Sequence, residues 1–401
     1  TLVEDTYPLA SSLLKSLRSY SKIPIIAGGV YIYSSAEEVI NEDFVDMVCV
    51  GEGEEALIEL CQKMKDNEDI TNVKNIWVKQ EKKIVKNSLR PLIDLNNLPF
   101  IDFDIFEKTR LGRPMFGKVY RMIHVEVDRG CMYNCPYCEA PSIRKKYKDS
   151  VNSKYYRQKK SDRIVKEMKY LKKKYNADYI DFDAESFLAR TPKSLREFAD
   201  LYKKEIKLPF WCQSRPETVT EEKLKILKDM GCSDLQYGVE HGNEEFRVRV
   251  LKRLGTNESI IKACKLTEKI GIPYTVNNII GFPDDTRELV FDTIMLNREI
   301  KPKTANCYLF TPYRGTELYK YCIENGYISK DSKTKQLLDG GEIEYSKITK
   351  EELYGLQRTF CLYTTLDAKF FSKIKIAEQF DEEGDAMFLE LKKEFYKIKG
   401  W

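Results

Sequence analysis

Six short apolar segments, each followed by a longer amphipathic segment, occupy the middle of this chain. The predicted strands are residues 122–127, 179–183, 210–213, 235–239, 274–280 and 305–310. Amphipathic helices are predicted between them, for example at 162–174, 221–230 and 257–270. Strands that alternate with helices in this way form a parallel sheet, with functional loops at the carboxyl ends of the strands. The sequence therefore predicts an α/β fold containing an open or partial (β/α)6 barrel.

A shorter alternation of strands and helices precedes this barrel. Apolar residues 23–27 end at Gly28-Gly29, and residues 47–50 end at Gly51-Glu52, which is the pattern of parallel strands in a doubly wound, Rossmann-like sheet. A hairpin is predicted at 72–86 and a linker at 95–106. The predicted domains are a partial Rossmann-like domain at 1–70, a hairpin and linker at 71–118, the barrel at 119–321 and a helical C-terminal extension at 322–401.

The charge and composition exclude several classes of protein. The 401 residues include 67 basic and 63 acidic ones, so the net charge of +4 gives no global field for nucleic-acid binding. Basic runs at 144–148, 159–160 and 172–174 are expected on solvated helix faces. No segment approaches the ~20 apolar residues of a membrane span. Eleven cysteines without regular pairing fit a reducing compartment, so a cytoplasmic protein is expected.

Three cysteines lie close together, directly after the first barrel strand. Cys131, Cys135 and Cys138 form a C-x3-C-x2-C motif. Thiolates are the usual ligands of iron-sulfur clusters, and three of them leave one iron of a [4Fe-4S] cube open for chemistry. A structural zinc site would need a fourth ligand, usually from a second cysteine pair, and neither a pair nor a nearby histidine is present. Zinc binding and chance clustering remain the alternatives, and the pattern favours the cluster.

This motif, with Tyr137 just before the last cysteine, resembles the signature of the radical S-adenosylmethionine (SAM) superfamily. The segment 238–240, the Gly-Phe-Pro at 281–283 and the closing element at 310–319 resemble further parts of that family. The resemblance extends from Thr1 to about Tyr321. It implies that SAM chelates the open iron and is cleaved to a 5'-deoxyadenosyl radical.

The resemblance also implies which residues surround SAM, because they follow successive barrel strands. Glu185 would face the methionyl amine and Asn277 the ribose, although Glu185 could instead cap a helix. Lys252 and Arg253 stand where related enzymes carry a basic residue for the SAM carboxylate. The complete set of implied SAM contacts is Tyr137, Glu185, Gln213, Arg215, Glu240, Lys252 and Asn277.

Two residues are candidates for catalysis. His241 is expected at the barrel rim, where it could act as an acid or base or bind substrate. Cys307 could be a radical or nucleophilic partner if the last strand points it inward. His124 is expected to be a packed or hydrogen-bonded core residue.

The first 60 residues resemble the C-terminal half of the cobalamin-binding domain found in B12-dependent radical SAM proteins. Gly28, Gly29, Gly51 and Glu52 would then contact cobalamin. Tyr31 stands where that family has a histidine. Because Thr1 begins partway through the sheet, we expect this 401-residue form to bind cobalamin weakly or not at all. An α/β cap that binds nothing is the alternative.

These features together predict a radical SAM enzyme with a [4Fe-4S] cluster and SAM as cofactors, and cobalamin as a third where its site is complete. The expected reaction is methylation of an unactivated carbon with cobalamin. Radical cyclisation or rearrangement, and a non-catalytic iron-sulfur redox protein, are the alternatives. The expected partners are a small-molecule or natural-product substrate and a reductant such as flavodoxin or ferredoxin, with no nucleic acid and no membrane span.

Overall fold

The structure is a computed structural model that describes residues 2–81, 83–330 and 343–400. Its strands are β1 (Ile26–Ala27), β2 (Met47–Cys49), β3 (Ile76–Gln80), β4 (Lys83–Lys86), β5 (Gly112–Met115), β6 (Lys118–Glu126), β7 (Asp128–Arg129), β8 (Arg157–Gln158), β9 (Tyr179–Asp183), β10 (Phe210–Ser214), β11 (Cys232–Glu240), β12 (Tyr274–Ile280) and β13 (Thr304–Leu309).

The helices follow the amphipathic segments of the sequence. They are α1 (Tyr7–Tyr20), α2 (Ile32–Asn41), α3 (Glu54–Lys65), α4 (Ala140–Val151), α5 (Ser161–Tyr175), α6 (Pro192–Glu205), α7 (Glu221–Met230), α8 (Glu244–Arg249), α9 (Asn257–Ile270), α10 (Arg287–Ile300), α11 (Glu317–Glu324), α12 (Lys350–Thr365), α13 (Phe371–Ala377) and α14 (Glu382–Lys399). None of the helices in the described part of the chain is long and apolar enough to cross a membrane.

The chain divides into two compact units. The first consists of Thr1–Asp94, Gly130–Tyr156 and Thr311–Glu344, and the second of Leu95–Arg129, Arg157–Phe310 and Tyr345–Trp401. The cysteine motif therefore belongs to the first unit and the barrel strands to the second. The four-part division of the sequence into 1–70, 71–118, 119–321 and 322–401 stays a prediction.

A seven-stranded sheet forms the second unit, in the order β13-β12-β11-β10-β9-β6-β5. The six strands from β13 to β6 pair in parallel, and β5 joins β6 as an antiparallel edge. This confirms the α/β fold class with a partial six-stranded barrel. The strands lie within a few residues of the six predicted segments.

Threonine side chains fix where several of the connecting helices begin. Thr191, Thr220, Thr256 and Thr286 each accept a hydrogen bond from the backbone N–H three residues later, at 3.1–3.3 Å. Such a cap satisfies an amide that the first helical turn leaves without a partner, which contributes about 1 kcal/mol. These caps therefore define the first residue of each helix that connects two parallel strands.

One face of this sheet is covered by helices and the other is polar. Ile123, Val125, Ile180 and Phe182 are buried, and they belong to one apolar core with α5, α6, α7 and α9. His124 and Glu126 alternate with the buried residues of β6, so they lie on the opposite face. A second core joins β12, β13 and α10 to the C-terminal helices α12, α13 and α14, which confirms the helical extension.

The first unit contains a four-stranded sheet in the order β1-β2-β3-β4. The pair β1 and β2 is parallel, and β3 and β4 form the predicted hairpin. β1 is shorter than the predicted strand because Ile23 is exposed and Pro24 has no N–H to donate. The doubly wound pattern is thus reduced to two short parallel strands.

Candidate functional site

The cysteine motif lies in the first unit, on a loop that leads into α4. Cys135 is buried, whereas Cys131 and Cys138 are partly exposed, as is Tyr137 on the same loop. The N–H of Cys138 donates to the carbonyl of Cys135 at 3.1 Å, so the second half of the motif is a tight turn. The three predicted metal ligands therefore lie on one short, folded segment.

Arg144, on α4, holds this loop by its backbone. Its Nη1 donates to the carbonyl of Cys131 at 2.8 Å and to that of Tyr133 at 3.0 Å, and its Nη2 donates to the side chain of Asn134. The prediction that residues 144–148 only form a solvated face was wrong for Arg144, because its guanidinium finds carbonyls of a preceding loop. These contacts fix the loop without using the thiols.

Gly130 sets the entry to the loop. Its φ is +88°, and a Cβ there would lie 2.6 Å from the carbonyl oxygen of Tyr155, so only glycine fits without movement of the backbone.

The three thiols of this loop are the type of ligand that binds a [4Fe-4S] cluster. Among the described residues, no three His, Cys, Asp or Glu side chains converge on a point where one metal ion could be held. A [4Fe-4S] cube does not require such a point, because each thiolate binds a different iron. Three thiols on a loop fixed by Arg144 and Gly130 therefore fit a cluster better than a mononuclear site.

Strand register in the second unit brings polar residues together on the face that the helices leave uncovered. His124 pairs with Asp181 and Glu126 with Asp183 across β6 and β9. His124 Nδ1 lies 2.6 Å from Asp181 Oδ2, so this histidine has the expected polar partner. Its side chain is partly exposed on the polar face, so the expectation of a core position was wrong.

The same face continues through the middle of the sheet. Gln213 pairs with Gln236, and its amide donates to the carbonyl of Ala184 at 3.0 Å. Asn277 accepts a hydrogen bond from Asn306 at 2.9 Å across β12 and β13. The predicted SAM contacts Gln213 and Asn277 thus lie on one polar surface. Gln236 and Asn306 were missed, although their alternation with apolar residues along each strand could have indicated them.

A buried arginine supports the carboxyl end of β11. Glu240 has a φ of +69°, and the pairing register with β12 shifts between Gly238 and Glu240. Arg253 donates to the carbonyl of Gly238, and its Nη1 lies 3.4 Å from Glu240 Oε1. The predicted contact Arg215 is also buried here, and its Nη2 lies 3.1 Å from Glu217. Lys252 is exposed, so Arg253 is the basic residue that the structure brings beside Glu240.

Carboxylates crowd the carboxyl end of β9. The side chains of Asp183 and Glu185 are accessible to solvent but lie in dense surroundings, and this desolvation raises the pKa of both. Their negative neighbours act in the same direction: Asp183 raises the pKa of Glu185, and Glu126 that of Asp183. A cation near Glu185 would therefore favour its ionised form.

Neither proposed catalytic residue lies where the sequence prediction required. His241 is fully buried: its ring stacks on Phe246 with centroids 4.4 Å apart, and its Nε2 is 3.6 Å from Asp285 Oδ1. The expectation that it sits at an open rim was wrong, because the loop after β11 folds back into the core.

Cys307 points toward the helices. It lies on the same face of β13 as Ala305 and Leu309, which belong to the core formed with α12. Burial raises the pKa of its thiol well above the usual value. The condition for its proposed role, an inward-pointing side chain, is not met.

The glycine turns of the first unit differ in what surrounds them. A Cβ on Gly28 would make only an ordinary contact, 3.6 Å from Cys49 Cβ, so that turn can be approached closely. Gly51 has a φ of +131°, and its Cβ position lies 2.9 Å from the hydroxyl of Tyr147, which also accepts the N–H of Glu52 at 3.1 Å. The second turn is therefore already occupied by Tyr147 of α4.

Tyr31, which stands at the family's histidine position, is buried in the first unit. Its ring packs on Tyr7 with centroids 4.9 Å apart, and burial raises the pKa of its hydroxyl to about 12. It is therefore a neutral core residue. Together, the open Gly28-Gly29 turn and the occupied Gly51-Glu52 turn fit a cobalamin cradle only in part.

Asp128 gives a pH-dependent prediction. Burial raises its pKa to about 7, an effect only partly offset by Arg190, whose Nη2 is 4.0 Å away. Because the native state holds this proton more tightly than the unfolded chain, stability should fall as the pH rises from about 4 to about 7, by on the order of 4 kcal/mol. We expect the unfolding midpoint of Asp128→Asn to rise relative to that of the wild type as the pH increases from 4 to 8, measured by thermal unfolding.

The matched control for this measurement is Asp229→Asn, which changes an exposed aspartate on α7. Its unfolding midpoint should stay at a constant offset from the wild type. A constant offset for Asp128→Asn as well would mean that Asp128 is ionised throughout this range, against the prediction.

Comparisons with known proteins agree with the cysteine motif and the sheet. Residues 125–296 match the family model described as Radical SAM superfamily. An uncharacterized methyltransferase of Pyrococcus horikoshii is 25% identical over 361 residues, which cover 88% of this chain and 74% of that protein. An anaerobic magnesium-protoporphyrin IX monomethyl ester cyclase of Rubrivivax gelatinosus is 21% identical and covers 74% of this chain and 53% of its own length.

Two solved structures share the fold over most of the chain. OxsB, a cobalamin-dependent SAM radical enzyme with aqua-cobalamin and SAM bound, covers 99% of this chain and 62% of its own, at 14% identity and a TM-score of 0.67. TsrM of Kitasatospora setae, with cobalamin and a [4Fe-4S] cluster bound, matches 80% of this chain and 61% of its own chain. The identity is 18% and the TM-score is 0.62. This chain thus spans about three-fifths of the length of both. Residues 125–296 of this chain are thus identified as a radical SAM domain.

Proposed function

We propose that this chain binds a [4Fe-4S] cluster through Cys131, Cys135 and Cys138, binds SAM, and uses it for radical chemistry on a small-molecule substrate. The observation that carries this proposal is the three-cysteine loop, held by Arg144 and Gly130, in a chain with a radical SAM domain. The chemistry that such a cluster supplies in this family is one electron, which cleaves SAM to methionine and a 5'-deoxyadenosyl radical.

The polar face of the barrel sheet provides the proposed SAM contacts. Glu185 takes the methionyl ammonium, whose positive charge favours the carboxylate that burial and Asp183 disfavour. Asn277, already oriented by Asn306, offers its amide to the ribose. Glu240, at the end of β11, is a further proposed SAM contact. The buried guanidinium of Arg253 holds its carboxylate in position.

Four further residues are proposed as SAM contacts. Tyr137 lies on the cysteine loop of the first unit, and Gln213 and Arg215 lie in the second unit. Lys252, although exposed, stays a candidate for the SAM carboxylate. The core positions of His241 and Cys307 do not favour a catalytic role for either.

The proposed reaction is methyl transfer to an unactivated carbon. Its support is the fold likeness to OxsB, which is cobalamin-dependent, and to the methyltransferase TsrM, whose structure holds cobalamin. The resemblance to an uncharacterized methyltransferase over 88% of this chain points the same way. Gly28 and Gly29 form the turn that a cobalamin tail could approach, and cobalamin, where bound, supplies the methyl group.

Radical cyclisation or rearrangement without methyl transfer is the second candidate. The observation that favours it is Tyr147, which fills the Gly51-Glu52 turn, together with the buried Tyr31. Titration of the chain with hydroxocobalamin tests the first candidate, because micromolar binding would favour methyl transfer over rearrangement.

The proposed partners follow from this chemistry. A one-electron donor such as flavodoxin or ferredoxin would reduce the cluster, and the substrate would be a small molecule or natural product. One TsrM structure holds tryptophan as its substrate, which is consistent with a ligand of that size on this fold. No nucleic-acid partner is proposed, and a cytoplasmic location suits an oxygen-sensitive cluster.

The first prediction here concerns the cluster. After anaerobic reconstitution, the wild type should contain about four irons and four sulfides per chain, because three thiolates and SAM can hold one cube. Cys135→Ala should lose the cluster and its visible absorption. Cys61→Ala, which changes an exposed cysteine on α3, is the matched control and should keep both. Full iron content in Cys135→Ala would remove this cysteine from the ligand set.

The second prediction concerns SAM. Glu240→Gln should weaken SAM binding about tenfold or more, the effect of losing a charged hydrogen-bond partner. Iron content should remain that of the wild type. Glu245→Gln, an exposed glutamate on α8 that pairs only with Arg249 among the described residues, should bind SAM like the wild type. Equal SAM affinity in Glu240→Gln and Glu245→Gln would place the SAM site elsewhere.

A further inference from the structure

The second unit contains a cavity at the amino-terminal edge of its sheet. The cavity has a volume of about 290 Å³ and lies between the start of β13 and the helices α12 and α14. Thr304 and Ala305, the first two residues of β13, line it. Since the carboxyl ends of the strands carry the proposed SAM contacts, this cavity belongs to the opposite edge of the sheet.

The floor of the cavity is apolar and uncharged. Ala305 and Phe395 are both buried there. The thiol of Cys361 donates to the carbonyl of Ala305 at 3.2 Å, and burial raises its pKa, so it is neutral at physiological pH. A hydrocarbon group bound on this floor would be removed from water, which is favourable. It would not bury an unpaired charge, which would be costly.

Among the described residues, three cations line the same cavity and no carboxylate does. They are Arg298, Lys301 and Lys399. Arg298 donates to the carbonyl of Leu366 at 2.6 Å, and Lys399 donates to that of Lys303 at 2.9 Å. Carbonyl oxygens carry only partial charge, and within the described part of the chain none of the three cations forms an ion pair with a carboxylate. Their positive charge is therefore not neutralised.

We propose that this cavity binds a small organic anion, a carboxylate on a short hydrocarbon tail. The carboxylate would lie near Lys301 and Lys399, and the tail would cover Ala305, Phe395 and the neutral thiol of Cys361. A volume of about 290 Å³ equals roughly ten waters of the liquid, so a ligand of about six to ten heavy atoms fits. This site does not depend on the cluster or on SAM, so it stands or falls separately from the proposed function.

Hexanoate is the probe that combines both features at the right size. Isothermal titration of the full chain with hexanoate should show saturable binding of one molecule per chain. Hexan-1-ol, which has the tail without the charge, and acetate, which has the charge without the tail, should each bind at least about tenfold more weakly.

Matched variants test the role of the cations. Lys399→Met and Lys301→Met keep the hydrocarbon stem and remove the charge, and each should weaken hexanoate binding about tenfold. Lys397→Met makes the same change on the same helix, outside the cavity, and should stay within about twofold of the wild type, since Lys397 pairs with Glu394 on the surface. Lys399→Met could disturb the end of α14. Lys301→Met tests the same proposal without this risk, because the side chain of Lys301 is exposed.

Three outcomes would overturn the proposal. One is no saturable binding of hexanoate by the folded wild type in the millimolar range. Another is equal affinity for hexan-1-ol, which would make the cavity an apolar site without anion recognition. The third is an equal loss in Lys397→Met and Lys399→Met, which would reveal a general effect of net charge.

Discussion

The parallel register of the six barrel strands is the constraint on which the candidate site depends. Each strand alternates its side chains, and the register keeps the alternation in phase from one strand to the next. Ile123 and Val125 on β6 therefore join the helix-covered core, while Glu126 and its partner Asp183 share the uncovered face. A shift of one residue in any strand would exchange these two sets of side chains.

The uncovered face is not uniform, and its variation follows the strands. At β6 and β9 it is acidic: Glu126 raises the pKa of Asp183, and Asp183 raises that of Glu185. At β12 and β13 it is neutral, with Asn277 and Asn306 joined through their amides. An ammonium group is favoured at the first end and a neutral hydrogen-bonding group at the second, which matches the amine and ribose of SAM in the proposed orientation.

The cysteine loop obtains its shape in a different way. Arg144 binds two of its carbonyls, and Gly130 supplies a backbone angle that other residues rarely adopt. The thiols take no part in these contacts, so the loop can be shaped before any metal binds. Local side-chain contacts fix the loop, whereas long-range strand pairing fixes the polar face of the barrel.

Much of this fold could be predicted from the sequence, since period-2 and helical patterns identify elements directly. The six barrel strands and the hairpin follow from such patterns. The face of Cys307 was predictable too, because β13 alternates apolar residues at 305 and 309 with polar ones at 304 and 306.

The positions of several side chains depend on tertiary contacts and could not be predicted from the sequence. The burial of His241 depends on Phe282 and Asp285, which approach it from the distant segment after β12, and nothing local in the sequence shows this. Lys252 and Arg253 are neighbours of the same charge, and only the fold shows that Arg253 is the one beside Glu240. Lys159, predicted on a solvated face, is buried against Glu167 at 3.1 Å.

Cleavage of SAM is the measurement that tests the central claim most directly. The full chain, reconstituted anaerobically with iron and sulfide and reduced with dithionite, would be mixed with SAM, and the products separated by chromatography. The account predicts formation of 5'-deoxyadenosine and methionine that depends on both reductant and cluster. A preparation with a full [4Fe-4S] complement that binds SAM yet leaves it uncleaved would contradict the account.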